Sequence, residues 1–158
     1  MRLQILQRHR GFYPHFFEGD WLVASHRNSL VRSADLGRSW QLLGTLHTDW
    51  RALAVKLRLV DRFVQLSISN AARLGSGDIF AIVGPTQWVL PAGSRQFRRV
   101  WGSPVDYRPL RRGLMVDQAG AVLIGDYRNN RGEDRGREIR DAVSVHRSTD
   151  PLSGVWET

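Results

Sequence analysis

The stretch Ser33-Ala34-Asp35-Leu36-Gly37-Arg38-Ser39-Trp40 decides the fold that the sequence predicts. It stands between two short segments, residues 29–32 and 40–46, whose composition is typical of strands. Serine and aspartate oxygens accept hydrogen bonds from nearby backbone N–H groups, and glycine readily adopts the positive φ of a tight turn. A tryptophan at the end of the turn can bury its ring against the edge of the sheet. The stretch therefore predicts a hydrogen-bonded turn between two antiparallel strands.

The same order of strands and turns recurs twice along the chain. The first unit contains a predicted strand at residues 21–25, and a turn at residues 26–28 follows it. Each run is short and ends at glycine, proline or a cluster of Asx and serine residues, as strands commonly do. The later strands are predicted at residues 78–83, 87–90 and 97–101, and then at 120–125 and 142–147, with a last aromatic residue at Trp156.

Each of the two later units also has a candidate first strand ahead of it. For the second unit this is residues 53–59 together with 63–68, and for the third it is residues 113–117. Residues 51–60 have some helical character, but leucine and valine alternate there at the odd positions, which favours a strand. The sequence thus predicts three units of four strands.

The turn at residues 33–40 fits the pattern Ser-x-Asp-x-Gly-x-x-Trp at every fixed position. It resembles the Asp-box, also called the bacterial neuraminidase repeat, of sialidase-like β-propellers. A looser copy at residues 147–156 has extra residues between its aspartate and its glycine. In that family the box is a fold element placed away from the ligand. The resemblance therefore implies structural roles for Ser33, Asp35, Gly37, Trp40, Ser148, Asp150, Gly154 and Trp156.

Repeated units of four antiparallel strands are typical of propeller blades. We therefore expect an all-β fold: a partial β-propeller of about three four-stranded antiparallel blades, in one incomplete domain over residues 1–158. The blades are expected at about residues 12–46, 51–101 and 108–158. Natural propellers close with about four to eight blades. The ring is therefore expected to be completed by a homo-oligomer or by a longer propeller.

The turns of a four-stranded meander alternate between its two ends, so the loops opposite the box are the expected ligand face. The resemblance implies that Tyr107 with Asp106, or Tyr127 with Asp126, supplies a nucleophile and its carboxylate. An ordinary loop rim, with a packed tyrosine and solvated charges, has the same composition. The expected ligand-binding residues are Arg27, Asp49, Arg51, Arg108, Arg128, Asn129 and Arg131.

These residues favour a glycan-directed protein, which is either a sialidase-like glycoside hydrolase relative or a carbohydrate-binding module. Its arginines would bind an anionic sugar. The alternative is a non-catalytic scaffold or protein-interaction propeller. Two features favour this alternative: the Arg-Ile-Pro segment typical of sialidases is absent, and three blades cannot hold all the catalytic residues that the family distributes around a full ring. The residues leave open whether the chain is an enzyme.

Composition narrows the expected partners. The chain has 158 residues, 42% of them hydrophobic, and a formal net charge of +8. Its basic residues alternate with acids, as in residues 131–141, so nucleic-acid binding is disfavoured. No apolar run approaches the roughly 18 residues of a membrane helix, and no membrane partner is expected.

Cysteine is absent, and no pair of histidines has metal-ligand spacing backed by acids, so we expect no metal and no cofactor. The first ten residues carry charges where a signal peptide needs an apolar stretch. The cytoplasm is therefore the default expectation, but the sequence does not establish the compartment of the protein.

Overall fold

A computed structural model describes residues 11–49, 51–53, 66–84, 86–100, 113–127 and 143–157. Within these residues the chain forms short strands joined by tight turns, and one helical turn at residues 51–53. The strands are β1 (Phe12–Glu18), β2 (Trp21–His26), β3 (Ser29–Ser33), β4 (Gln41–Thr45), β5 (Ile68–Arg73), β6 (Ile79–Val83), β7 (Thr86–Leu90), β8 (Arg98–Val100), β9 (Leu114–Val116), β10 (Val122–Tyr127) and β11 (Val143–Ser148).

The strands build three antiparallel sheets, which we name blades 1, 2 and 3 in chain order. Blade 1 has the order β1-β2-β3-β4, blade 2 the order β5-β6-β7-β8, and blade 3 the order β11-β10-β9. All neighbouring strands pair antiparallel. The fold is therefore a partial β-propeller, and the expectation of an all-β chain is confirmed.

The blades pack face to face through two apolar layers. In β6, Ile79, Ala81 and Val83 belong to the core between blades 1 and 2, together with Val23 and Leu30. Phe80 and Ile82 alternate with them and join Val122 and Ile124 in the core between blades 2 and 3. Because both faces of β6 are covered, this strand is continuously apolar. Each fully buried side chain of this kind stabilises the fold by about 1.5–3 kcal/mol.

The first strands of the blades lie side by side: β1 contacts β5, and β5 contacts β9. Blades 1 and 2 also meet where β4 ends, since the Thr45 N–H donates to the Arg95 carbonyl at 2.9 Å. Nearby, a Cβ atom built on Gly44 would lie 2.7 Å from Leu90 Cδ1, so glycine allows the close approach of the two blades here.

The first strand of blade 2 lies elsewhere than the sequence predicted. Residues 51–53 form a helical turn, residues 54–65 lie outside the described part of the chain, and the sheet begins with β5 at Ile68–Arg73. This strand carries serine, asparagine and two alanines, so it lacks the apolar alternation that marks a strand. Packing between β1 and β9 buries Ile68 and Ala71.

Blade 3 shows three strands in the described residues, where four were expected. After β11 the chain turns back and makes a single antiparallel bridge between Arg147 and Glu157. The bridge has two hydrogen bonds, one in each direction between the two backbones, both of 2.8 Å. It stands at the position that the fourth strand would occupy.

Candidate functional site

The turn at residues 33–40, named the Ser33 turn from here on, is held by the side chain of Ser33. Its Oγ accepts the Gly37 N–H at 2.7 Å and the Asp35 N–H at 3.3 Å. The same hydroxyl donates to Asp35 Oδ1 at 2.7 Å. Gly37 has a φ of +93°, a region in which glycine is favoured. Ser33 and Gly37 are buried, so this network closes the end of blade 1.

The carboxylate of Asp35 binds the far side of the Ser33 turn. Its Oδ1 accepts the Ser39 N–H at 2.8 Å, and its Oδ2 accepts the Ser39 hydroxyl at 2.7 Å. These bonds, led by the Ser39 backbone bond and followed by the Ser33 hydroxyl, hold the pKa of Asp35 well below its ordinary range. A carboxylate that stays ionised and saturated in this way suits a structural turn and not proton transfer.

Trp40 ends the Ser33 turn and contributes to a row of rings on blade 1. Its ring stacks on Phe12 at a centroid distance of 4.6 Å, and Phe12 stacks on His26 at 4.4 Å. Phe12 and His26 are cross-strand partners at the start of β1 and the end of β2. The indole therefore packs against blade 1 itself.

The looser copy, named the Ser148 turn (residues 148–156), has a different network. Ser148 Oγ donates to the Val155 carbonyl at 2.6 Å. Asp150 Oδ1 accepts one N–H, that of Leu152, at 3.2 Å. Gly154 has a φ of +76°, and the half-buried Trp156 lies 6.3 Å from the ring of Phe80 in blade 2. The turn closes blade 3 and contacts blade 2.

Strand direction puts a second set of loops at the opposite end of the blades from these two turns. We call them the upper loops: residues 26–29 between β2 and β3, residues 83, 84 and 86 between β6 and β7, and residues 46–49 and 51–53 after β4. They include three of the residues predicted to bind a ligand, Arg27, Asp49 and Arg51.

Arg27 is exposed at the tip of the β2–β3 hairpin, and its φ is +54°. For a residue with a Cβ atom the left-handed region costs roughly 1–2 kcal/mol, so the rest of the hairpin must hold Arg27 there. Pairing of His26 with Ser29 fixes the hairpin on both sides of the tip. The guanidinium is thus carried on a rigid and strained support.

Asn28 joins this hairpin to the connection that follows β4. Its side-chain Oδ1 accepts the His47 N–H at 2.9 Å, and its Nδ2 donates to the His47 carbonyl. Its backbone carbonyl accepts the Leu46 N–H at 2.8 Å. Three hydrogen bonds therefore place residues 46–49 beside Arg27. The sequence predicted only a turn at Asn28, and this positioning role depends on contacts that the sequence does not reveal.

Asp49 and Arg51 form an ion pair with each other. Asp49 Oδ1 accepts the Arg51 N–H at 3.0 Å, while Oδ2 forms an ion pair with Arg51 Nη1 at 2.9 Å. The Asp49 carbonyl also accepts the Ala52 N–H at 2.9 Å, which starts the helical turn. Both side chains are about half exposed. Their pairing offsets the two charges, whereas Arg27 adds a further positive charge to the described part of the upper loops.

His47 is a further residue that the sequence reasoning did not assign to the site. It is buried, and its Nε2 donates to the Leu66 carbonyl at 3.2 Å. Its ring meets Trp88 edge to face at 5.3 Å, and Trp88 Nε1 donates to Thr86 Oγ1 at 2.8 Å. This chain of contacts fastens the upper loops of blade 1 to those of blade 2. The available signal was that His47 directly follows Leu46, an apolar residue that is buried after the end of β4.

A half-buried histidine, His15, lies on the first strand of blade 1. His15 Nε2 donates to Ser25 Oγ at 2.9 Å, and that hydroxyl donates to the Ile68 carbonyl of blade 2 at 3.3 Å. Burial lowers the pKa of His15 to about 4, so the ring is neutral at pH 7. Ser25 is 1% exposed. The pair therefore links two blades and does not offer a nucleophile to a ligand.

The other predicted site residues have no described side chains. Asp106, Tyr107, Arg108, Arg128, Asn129 and Arg131 lie outside the described residues. Asp126 and Tyr127 are the last two residues of β10, where their backbones pair with Ser144 and Val143. Their roles stay predictions.

Two further features, a metal-binding cluster and a membrane-spanning helix, are absent from the described residues. In the part of the chain that the structure describes, no group of three or more His, Asp or Glu side chains is arranged to hold a metal ion. None of the described helical residues belongs to a helix of the length and apolarity needed to cross a membrane.

The blades and their turns define the chain as a member of the β-propeller class of folds. No protein-family model matches the sequence, and no curated protein matches it. Among solved structures the chain is similar to one described as "YCF48 bound to D1 peptide", with 12% sequence identity and a TM-score of 0.46. The similarity covers 90% of this chain and 37% of that chain, so the present sequence spans well under half of that neighbour.

Proposed function

We propose that this chain is a glycan-directed propeller of the Asp-box type, which binds an anionic sugar through its upper loops and does not cleave it. The observation that carries the proposal is Arg27, an exposed arginine held at a φ of +54° at the tip of a hairpin. Backbone strain of this kind concentrates at binding sites, where the fold over-determines the conformation.

The surroundings of Arg27 support recognition of an anion. A guanidinium makes two parallel hydrogen bonds to a carboxylate or sulfate, which adds specificity to charge. The three hydrogen bonds of Asn28 fix the segment beside Arg27. Little backbone freedom is therefore lost when a ligand binds. Sugars of this kind include sialic acids, uronic acids and sulfated residues.

The described upper loops favour binding over cleavage. A sialidase-like reaction needs a tyrosine nucleophile and a carboxyl group that can exchange a proton. The carboxylate that the structure describes there, that of Asp49, accepts a backbone N–H and pairs with Arg51. It is held as an element of the turn. Tyr107 with Asp106 and Tyr127 with Asp126 remain the candidates for the catalytic alternative.

Binding should be measured by titrating the protein with sialyllactose, with a sulfated disaccharide and with neutral lactose at two salt concentrations. Arg27→Ala is the test variant, and Arg38→Ala is its control, because Arg38 is also exposed but lies in the Ser33 turn at the opposite end. We expect Arg27→Ala to weaken binding of the anionic sugar by about tenfold or more, as loss of a charge-assisted hydrogen bond predicts. Arg38→Ala should bind as the wild type does.

Turnover of a fluorogenic sialoside is measured in parallel. Hydrolysis by the wild type that disappears in Tyr107→Phe or Tyr127→Phe would replace the binding proposal with the enzymatic one. Absence of saturable binding to every anionic sugar tested would leave the non-catalytic scaffold. Equal loss of binding in Arg27→Ala and Arg38→Ala would show that net charge, and not this site, attracts the sugar.

A further inference from the structure

The first strand of blade 1 has a bulge at His15. The register of β1 against β2 shifts between Pro14 and Phe16, so His15 is the extra residue. A bulge interrupts the alternation of a strand and re-aims a side chain. Phe16 packs against the core between blades 1 and 2, and His15 reaches Ser25, whose hydroxyl bonds to blade 2. Two consecutive residues of β1 therefore contribute to the interface between blades 1 and 2.

The hydrogen bond of His15 continues into blade 2. Nε2 of the ring donates to Ser25 Oγ at 2.9 Å, and Ser25 Oγ donates to the Ile68 carbonyl at 3.3 Å. Ser25 is 1% exposed and Ile68 is 3% exposed. The register of β5 also shifts directly after Ile68, so the link joins a bulge of one inner strand to a bulge of the other. Polar groups in such a dry position are costly unless each of them is hydrogen-bonded.

The direction of these two hydrogen bonds fixes where a further proton must go. Ser25 has one hydroxyl proton, which it donates to Ile68, so it accepts from His15 and the neutral ring carries its proton on Nε2. Acid therefore adds the second proton at Nδ1. Within the described part of the chain Nδ1 has no hydrogen-bond acceptor, so the imidazolium would be charged, half-buried and unpaired on that side.

The neighbouring strands offer no charge that offsets an imidazolium. The other charged or titratable side chains of the three strands around the ring are Tyr13 and Glu18 of β1, His26 of β2 and Arg73 of β5. Glu18 is the carboxylate among them, and it forms an ion pair with Arg73. His26 is adjacent to Ser25 in β2, so it lies on the other face of the sheet. Burial lowers the pKa of His15 to about 4.

We propose that His15 and Ser25 form an acid-sensitive latch, which joins the inner strands of blades 1 and 2 at neutral pH and releases them when the ring is protonated. The neutral ring binds Ser25 in the closed interface, whereas the imidazolium is better hydrated when β1 moves away from β5. Release exposes the core between the two blades, which includes Val23 and Ile68, and leaves the strand pairing within each blade in place.

The pH window of the latch follows from the two states of the ring. In the open state the hydrated ring of His15 has its ordinary pKa of 6.5, and in the closed interface its pKa is about 4. The latch is therefore fully formed above about pH 6.5, weakens as the pH falls below that value, and has lost its contribution near pH 4. Asp35 loses its stabilising charge only below its ordinary pKa of 3.8, so the two effects separate by pH.

Thiol labelling tests the latch, because the chain has no cysteine of its own. Val23→Cys places a reporter in the core between blades 1 and 2, and Val122→Cys places a matched reporter in the core between blades 2 and 3. Both valines are 0% exposed. The labelling rate by a pyridyl disulfide is measured at pH 7 and pH 5. Each rate is divided by the rate of the same variant in urea at the same pH, which corrects for thiol ionisation.

We expect the protection of the Val23→Cys thiol to fall about tenfold between pH 7 and pH 5, because the open state binds the proton more tightly than the closed state. Protection of the Val122→Cys thiol should change much less. His15→Gln keeps an N–H donor for Ser25 and does not titrate, so it should abolish the pH dependence at the Val23→Cys reporter. His26→Gln is the control and should keep that dependence. Circular dichroism at both pH values checks that the sheets persist in each variant.

Three results would overturn the proposal. The first is a Val23→Cys thiol that is equally protected at pH 7 and pH 5. The second is a pH dependence that His15→Gln leaves unchanged. The third is an equal loss of protection at Val122→Cys, which would show that acid loosens the whole chain and not one interface. No sugar is present in this experiment, so its outcome is independent of the sugar-binding proposal.

Discussion

The Ser33 turn and the Ser148 turn contain the same four kinds of residue and yet are built differently. In the Ser33 turn the aspartate and the glycine are two positions apart, and Ser33 Oγ accepts the Gly37 N–H at 2.7 Å. In the Ser148 turn Asp150 and Gly154 are four positions apart, and Ser148 Oγ donates to the Val155 carbonyl at 2.6 Å. The serine hydroxyl accepts from the backbone in one turn and donates to it in the other.

The difference shows that spacing, more than composition, decides such a network. The two extra residues extend the Ser148 turn, and one position within it is the buried Pro151, which has no N–H to donate. Asp150 then accepts from Leu152, and Ser153 donates to the Asp150 carbonyl at 2.7 Å. The Ser148 turn is therefore closed by bonds of Asp150 and Ser153 as well as of Ser148, whereas the hydroxyl of Ser33 is the centre of the other network.

The largest expected effect on stability comes from two separate variants, each of which removes one serine hydroxyl. Ser33→Ala leaves the buried Gly37 N–H without its acceptor and should lower the free energy of unfolding by about 2–3 kcal/mol. Ser148→Ala removes one donor to the carbonyl of exposed Val155, which water can reach, and should cost about 0.5–1 kcal/mol. Urea unfolding monitored by tryptophan fluorescence measures both. Equal losses would show that the two turns are energetically equivalent.

A smaller, pH-dependent effect is expected at Asp35. Its pKa in the folded chain lies well below the ordinary value of 3.8, so its ionised form stabilises the fold above that pH. This stabilisation is lost as the pH falls toward the lower folded pKa. Asp35→Asn should therefore reduce the melting temperature at pH 7, and the difference from wild type should shrink below about pH 4. Thermal melts between pH 2.5 and 7 measure it.

The matched control for this experiment is Asp150→Asn, because that carboxylate accepts one backbone N–H whereas Asp35 accepts a backbone N–H and two hydroxyl donors. We expect a smaller reduction of the melting temperature at pH 7 in Asp150→Asn than in Asp35→Asn. If Asp35→Asn lowered the melting temperature equally at every pH, the ionised carboxylate of Asp35 would not be what stabilises the turn.

The smallest expected effect is a gain in stability at the tip of the Ser33 turn. Leu36 has a φ of +56°, and its side chain is 60% exposed, so it has strain and little burial to offset it. Leu36→Gly should raise the free energy of unfolding by about 0.5–1 kcal/mol, because relief of strain exceeds the added entropy of the unfolded chain. A loss of stability in the same urea titration would show that the leucine makes contacts that hold the turn.

Much of the fold could be predicted from the sequence because its strands are short and sharply bounded. The apolar run of β6 and the Gly84 break after it predicted a strand and its turn, and both are present. β5 was misplaced, since its alanines and polar residues have no alternation and its burial comes from neighbouring blades. The loop position of Arg27 could be predicted from the sequence, and its role as a ligand-binding residue stays a prediction. The contacts of Asn28 and His47 could not be predicted, because they involve segments distant in the chain.

The sequence by itself determined the strands, their turns and the type of unit they build, because alternation, glycine conformation and short-range hydrogen bonds act over a few residues. Tertiary structure alone decided which strand begins blade 2, how Asn28 joins two loops, and that Asp49 pairs with Arg51. It also decided which apolar faces are covered and which are exposed. These features depend on which blades meet, and that is set by packing between segments far apart in the chain.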